Sequence, residues 1–150
     1  MDAAIATIDR ALALNPGYAR GWFLSGNLRM HAGQFDTAID HVQHAMRLNP
    51  RDRTGAPLGV LAFAQFYRRQ FDAAAATFRA DLQEFPNRPV ALRGLAACYA
   101  HLGRLADAAE TVRRLKAMTP DVMPALVGMR DPAHRELFLS GLRLAMGETA

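Results

Sequence analysis

The chain has 150 residues, is 51% apolar and 21% charged, and carries a net charge of +4. That is one domain's length with a continuous core, and it excludes a disordered chain. The basic excess is almost all arginine, with Lys116 the single lysine, and it is scattered along the chain rather than gathered into a run, which argues against nucleic acid as the partner.

No apolar run approaches the roughly 18 residues of a membrane span. The first residues carry Asp2 and Asp9 through their apolar stretch, unlike a signal peptide. One cysteine, Cys98, cannot form an internal disulfide, and in "LAACYAHLG" it is expected as a small buried hydrophobe. The cytoplasm is the expected location.

The chain opens with "MDAAIATIDRALALNP", a helix over residues 2–14 ending before Pro16. The same mould returns as "GQFDTAIDHVQHAMRLNP" from Gly33, "RQFDAAAATFRADLQEFP" from Arg69 and "GRLADAAETVRRLKAMTP" from Gly103. The closing prolines are Pro16, Pro50, Pro86 and Pro120, so the period runs 34, 36 and 34 residues. A period near 34 predicts stacked helix–turn–helix units.

The columns of this repeat give its physical reason. Ala4, Ala38, Ala74 and Ala108 match, and small residues there let helices approach closely. One turn on, Ile8, Val42, Phe78 and Val112 share their face. The turn before each second helix holds Gly33, Arg69 and Gly103, followed by an apolar plug at Phe35, Phe71 and Leu105. In the first helices Trp22, Leu58 and Leu92 match, as do Gly26, Ala62 and Ala96.

Trp22, Gly26, Gly33, Ala38, Ala45 and Pro50 together resemble the tetratricopeptide repeat pattern at its expected spacing. The resemblance covers roughly residues 1–120 and implies an all-α, right-handed α-α superhelix (a solenoid) whose role is protein–protein contact. The units are a half repeat at 1–16, full repeats at 17–50, 51–86 and 87–120, and a degenerate repeat with a capping helix at 121–150. Asp81 and Leu115 depart from the pattern where the first full unit has Ala45. The middle unit carries two extra residues around "RDRTGAPL", for which a longer loop or a shifted first helix is expected.

The ends differ from the repeats. Counting back from Pro16, Met1 falls where a unit's second helix should begin, so the chain reads as a fragment of a longer protein. The alternative is a natural N-terminal cap. After Pro120, "DVMPALVGM" makes at most a short helix. A clean helix follows, with Asp131 as N-cap and Pro132 at its first position. Leu137, Phe138, Gly141, Leu142 and Ala145 form its apolar stripe, expected to cover the last repeat. The Arg130–Asp131–Pro132 start with "ELFLSGLR" resembles the C-terminal ends of tetratricopeptide regions on bacterial proteins. In that group such regions follow a class III adenylate cyclase domain or a DNA-binding regulator domain, which would make this chain a regulatory, non-catalytic segment.

Chemistry is sparse. Neither Ser25 nor Ser140 sits in a nucleophile-elbow setting, and no glycine loop cradles a phosphate. His41 and His44 share a helical face, but a zinc site needs three or four ligands, so they are read as a solvated outer face. No metal and no cofactor are expected.

The first helices of such a stack line its concave side. By resemblance to other tetratricopeptide proteins, their groove positions are Arg20, Phe23, Asn27, Met30 and His31, then Ala56, Gly59, Phe63, Phe66 and Tyr67, then Val90, Arg93, Ala97, Ala100 and His101. This surface would suit a peptide with an apolar anchor and one acid, unless Phe63 and Phe66 pack between helices instead. A chaperone-tail carboxylate clamp does not fit, because the matching places hold Phe23, Asn27, Val60, Val90 and Gly94, and only Asn27 agrees. The truncated first unit also leaves an apolar edge, from which some self-association is expected.

Overall fold

The structure, a computed structural model, describes residues 1–125 and 129–149. Among them are eight helices and no strand: α1 (Asp2–Leu14), α2 (Ala19–His31), α3 (Phe35–Leu48), α4 (Ala56–Tyr67), α5 (Phe71–Glu84), α6 (Pro89–His101), α7 (Leu105–Lys116) and α8 (Pro132–Ala145). None is long and apolar enough to cross a membrane. The hairpins α2–α3, α4–α5 and α6–α7 pile into a right-handed solenoid, with α1 packed on α2.

One turn closes each hairpin. At Gly33 the N–H reaches the carbonyl of Met30, and the next N–H, of Gln34, reaches back to Arg29. The same pair recurs at Arg69–Gln70 and at Gly103–Arg104. This closure needs a left-handed residue at its centre. Gly33 and Gly103 adopt it freely at φ 80° and 74°, whereas Arg69 is forced to φ 59°. Register has overridden the side chain's preference there.

The small-residue column works by contact. Ala38, Ala74 and Ala108 are wholly buried. A Cβ on Gly26 would lie 3.0 Å from the Ala38 carbonyl oxygen, so α2 and α3 meet backbone to backbone. Val42, Phe78 and Val112 fill the core one turn on. The plug column holds less well: Phe35 is buried, but Leu105 is 53% exposed, because little of the following chain packs on α7.

Both departures from the pattern are accommodated. Leu115 is fully buried. Asp81 is also fully buried, and its Oδ1 pairs with Arg88 at 2.8 Å. Arg88 donates a second bond to the Thr54 carbonyl at 2.9 Å and lies over the Phe85 ring. The extra residues of the middle unit therefore form a longer loop, residues 49–55, which Arg88 fastens. The helix after it is not shifted, since Ala62 stays buried in its column.

Asp131 caps α8 as expected, its Oδ1 accepting from the Ala133 N–H at 2.8 Å. No helix forms over 121–125, and the rest of the expected short helix falls on 126–128, outside the described residues. The polypeptide at 121–122 is held by Arg93, whose guanidinium donates to the carbonyls of Asp121 and Val122.

Candidate partner-binding groove

The concave side is not one uniform groove. The expected groove residues fall into three sets. Arg20 and Phe23, with Ala56, line a hollow of about 570 Å³ beside the 49–55 loop, rimmed by Arg51, Asp52 and Arg53. Hydrogen bonds from Thr54 hold the Asp52 carboxyl below its ordinary range. This rim is open and mixed in sign.

The second set forms a pocket of about 400 Å³. Asn27, Met30 and His31 supply the α2 wall, Gly59, Val60, Phe63 and Tyr67 the α4 wall, and Val90 and Arg93 the α6 wall. Pro124, Met129 and Phe138 close it from the C-terminal side. Most of that lining is apolar. The polar exceptions are Asn27, His31, the Tyr67 phenol and two arginines. His31 Nδ1 is buried and finds no hydrogen-bond partner among the described residues, and burial lowers the imidazole's pKa, which keeps it neutral near pH 7. Arg93 and Arg88 also reach this pocket, but their guanidinium groups are committed to Asp121, Val122, Asp81 and Thr54. The acid-seeking character expected of the groove is therefore weakened: its arginines bind the chain's own carbonyls and carboxylate.

The third set is covered. Phe66 has no exposed surface. It touches Phe71, His101 and Phe138, so with α8 in place it is part of the core and closed to an outside ligand. The expected groove position of Phe66 is occupied by α8, which lies over it. Ala97 and Ala100 are buried and His101 is half-buried at the same seam. Tyr67 is buried too, and desolvation raises the pKa of its phenol.

Two histidines correct the sequence reading. His41 and His44 do not form a solvated face. Both rings meet Trp22 edge-on, at 4.8 and 4.6 Å, while the indole N–H holds the Pro16 carbonyl at 2.8 Å. His41 Nδ1 lies 2.9 Å from Ser25 Oγ, and Arg29 joins that hydroxyl to Asp9. Burial, together with Arg29, lowers the pKa of His41.

A Ser–His contact of this kind invites a hydrolase reading. Ser25, however, is fully buried and already receives the Arg29 guanidinium, so no substrate carbonyl can reach it. The network ties α1, α2 and α3 together. Sequence spacing of 16 residues between Ser25 and His41 gave no local signal for it. Among the described residues no three His, Cys, Asp or Glu side chains converge to hold a metal. Cys98 is buried, and desolvation raises its thiol pKa.

Comparisons with known proteins agree with this architecture. Residues 1–53 and 65–130 each match the tetratricopeptide repeat family. A CTR9 homolog from Arabidopsis thaliana is 31% identical over 109 residues, 72% of this chain, which spans only 10% of that protein's length. Among solved structures, MamA superposes with a TM-score of 0.72 at 18% identity, covering 97% of this chain and 86% of MamA. YrrB, described as a tetratricopeptide protein with an unusual peptide-binding site, gives 0.68 at 22% identity, covering 97% of this chain and 76% of YrrB. With the repeat columns, the shared turn and two family matches that leave out only residues 54–64 and 131–150, the chain belongs to the tetratricopeptide repeat family.

Proposed function

We propose that this chain is a non-catalytic protein–protein interaction module that holds a segment of a partner on its concave side. The observation that carries the reading is the pocket of about 400 Å³ between α2, α4 and α6. Met30, Val60, Val90 and Met129 make it a receptor for an apolar side chain. Asn27 is placed to hydrogen-bond the backbone that carries that side chain. The peptide-binding site named for YrrB supports a peptide partner.

A finer reading rests on the C-terminal "RDP…ELFLSGLR" stretch: the module is the regulatory C-terminal part of a bacterial, cytoplasmic signalling protein such as a class III adenylate cyclase. The rival reading is a stand-alone adaptor. Reading the coding sequence upstream of Met1 separates them, since an in-frame catalytic or regulator domain supports the first and a stop codon removes it. Self-association has its own support in an apolar trough along α1, lined by Ala4, Ile8, Leu24 and Leu28; sedimentation as a monomer at high concentration would exclude it.

The pocket is tested with peptides selected from a random library on the full chain. Recovered binders should share an apolar anchor. Val90 is 47% exposed, so Val90→Arg disturbs the pocket without disturbing the core. That variant, and Asn27→Ala, should each weaken binding at least about tenfold, or roughly 1.4 kcal/mol, with melting unchanged. Binders indifferent to both substitutions would refute the assignment.

A further inference from the structure

α8 does not sit where the first helix of another repeat would. Of the helices that precede them, α4 packs chiefly on α3 and α6 chiefly on α5, each the second helix of the unit before. α8 reverses this: it packs chiefly on α6 and only marginally on α7. It therefore lies on the concave side, among first helices, where a bound partner would lie.

Its contacts are those of a helix in a groove. The Phe138 ring meets Phe63 and Phe66 edge-on at 5.5 and 5.6 Å. His134 reaches Phe35 and Tyr67 from the preceding turn. His101 Nε2 donates to the Leu137 carbonyl at 2.7 Å. Gly141 is the point of closest approach: a Cβ there would come within 2.8 Å of His101 Nε2 and 3.0 Å of the Ala97 methyl. Glycine inside a helix costs about 1 kcal/mol against alanine, and here it admits the backbone of α8 to a notch on α6.

The inward stripe is short. Phe138, Gly141, Leu142 and Ala145 are the buried residues of α8. Arg135 and Glu136 on the other side are exposed, and Glu136 pairs with Arg143. A helix with that polar back remains compatible with water when it leaves the groove. The core of the stack runs through Ala38, Val42, Phe78 and Leu92 on α3, α5 and α6, and Phe138, Leu142 and Ala145 extend it from one side.

We propose that α8 is a tethered stand-in for a partner's helix, and that the α4–α6 surface beneath it is a helix-docking groove. The partner it fits is an amphipathic helix with the same inward pattern: an aromatic residue, a glycine three positions on, an aliphatic residue next to that and a small residue three further. This rests on the concave side being the docking face, and it adds that most of that face is already occupied. A tethered occupant competes at an effective concentration near the millimolar range. A free helix of equal quality therefore binds the intact chain weakly, and binds tightly once α8 is expelled.

The probe is a fluorescein-labelled synthetic peptide with the sequence of residues 132–149, titrated against the full chain and followed by anisotropy. Gly141→Leu drives a side chain into His101 and Ala97 from the α8 side and leaves the groove wall intact. It should tighten peptide binding at least about tenfold, with a cooperative melt retained. Adding Ala97→Leu fills the notch from the wall side and should abolish the gain. No gain in a folded Gly141→Leu chain overturns the proposal. So does loss of cooperative unfolding in that variant, which would make α8 an inseparable part of the fold. A wild-type dimer that dissociates in Gly141→Leu also overturns it, by giving the groove to the α8 of a second copy. Because Phe138 also closes the pocket of Met30 and Val90, peptides selected on that pocket are titrated on the wild-type chain with α8 in place, where Val90→Arg reports on the proposed function separately from the Gly141→Leu titration.

Discussion

Arg88→Met isolates a buried charge. In the folded chain the Asp81 carboxylate is wholly out of water, with Oδ1 on Arg88 at 2.8 Å and Oδ2 without a partner among the described residues. Methionine keeps the apolar stem over Phe85 but removes the compensating charge and the bond to the Thr54 carbonyl. Breaking one side of a buried pair costs about 3–5 kcal/mol. Arg88 keeps 24% of its side chain exposed, so the lower end, about 3 kcal/mol at pH 7, is expected. For a chain of this size that lowers Tm by about 6–12 °C.

The pH dependence supplies the sign. Burial raises the Asp81 pKa and Arg88 opposes the rise. In the variant the rise is unopposed. A carboxyl with a raised folded pKa takes up its proton more readily when folded, so its contribution is full below the ordinary carboxylate range and is lost as pH climbs through the raised value. The deficit of Arg88→Met against the parent should therefore shrink from pH 7 toward pH 4. Asp81→Ala added to Arg88→Met restores the residue type found at Ala45 and removes the stranded charge. The double variant should return to within about 1 kcal/mol of the parent. Urea titrations at both pH values decide it. A loss below about 1 kcal/mol at pH 7, or a double variant no better than the single, would show that the pair is not the buried charge described here.

Two further outcomes follow from the same structure. Arg69→Gly relieves the φ of 59° and should stabilise the chain by about 1 kcal/mol; a lower denaturation midpoint would contradict the shared-turn argument. Burial holds His31 and His41 below the ordinary imidazole pKa, so folding disfavours their protonation. Their stability contribution is present above about pH 6.5 and lost as pH falls through the lowered values. His31→Gln with His41→Gln should flatten the decline in midpoint between pH 7 and 5, and an unchanged decline would assign it elsewhere.

Much of the fold was legible because it depends on neighbours in sequence. The proline period, the alanine column and the glycine turns specify a helical hairpin, and hairpins with matching columns stack. Arg69 shows how strong that register is, since its place was readable although its residue type argues against it. The tail's N-cap at Asp131 was equally local. The groove was an expectation from the family resemblance, which named Phe63, Phe66, Tyr67 and His101 but not which of them α8 would cover.

What only the tertiary structure decided are the pairings between distant residues. Amphipathicity in α8 says that one stripe must be buried, not what buries it; the contacts of Phe138 and Gly141 with α4 and α6 made that choice. Asp81 looked like a lapse from the pattern until Arg88 and the carbonyl of Thr54 came together around it. His41 and His44 looked solvated because Trp22, which covers them, lies in another helix. Helical period is set by the backbone's own hydrogen bonds and is written locally, whereas the burial of a charge or an aromatic ring depends on surfaces that exist only once the helices have packed.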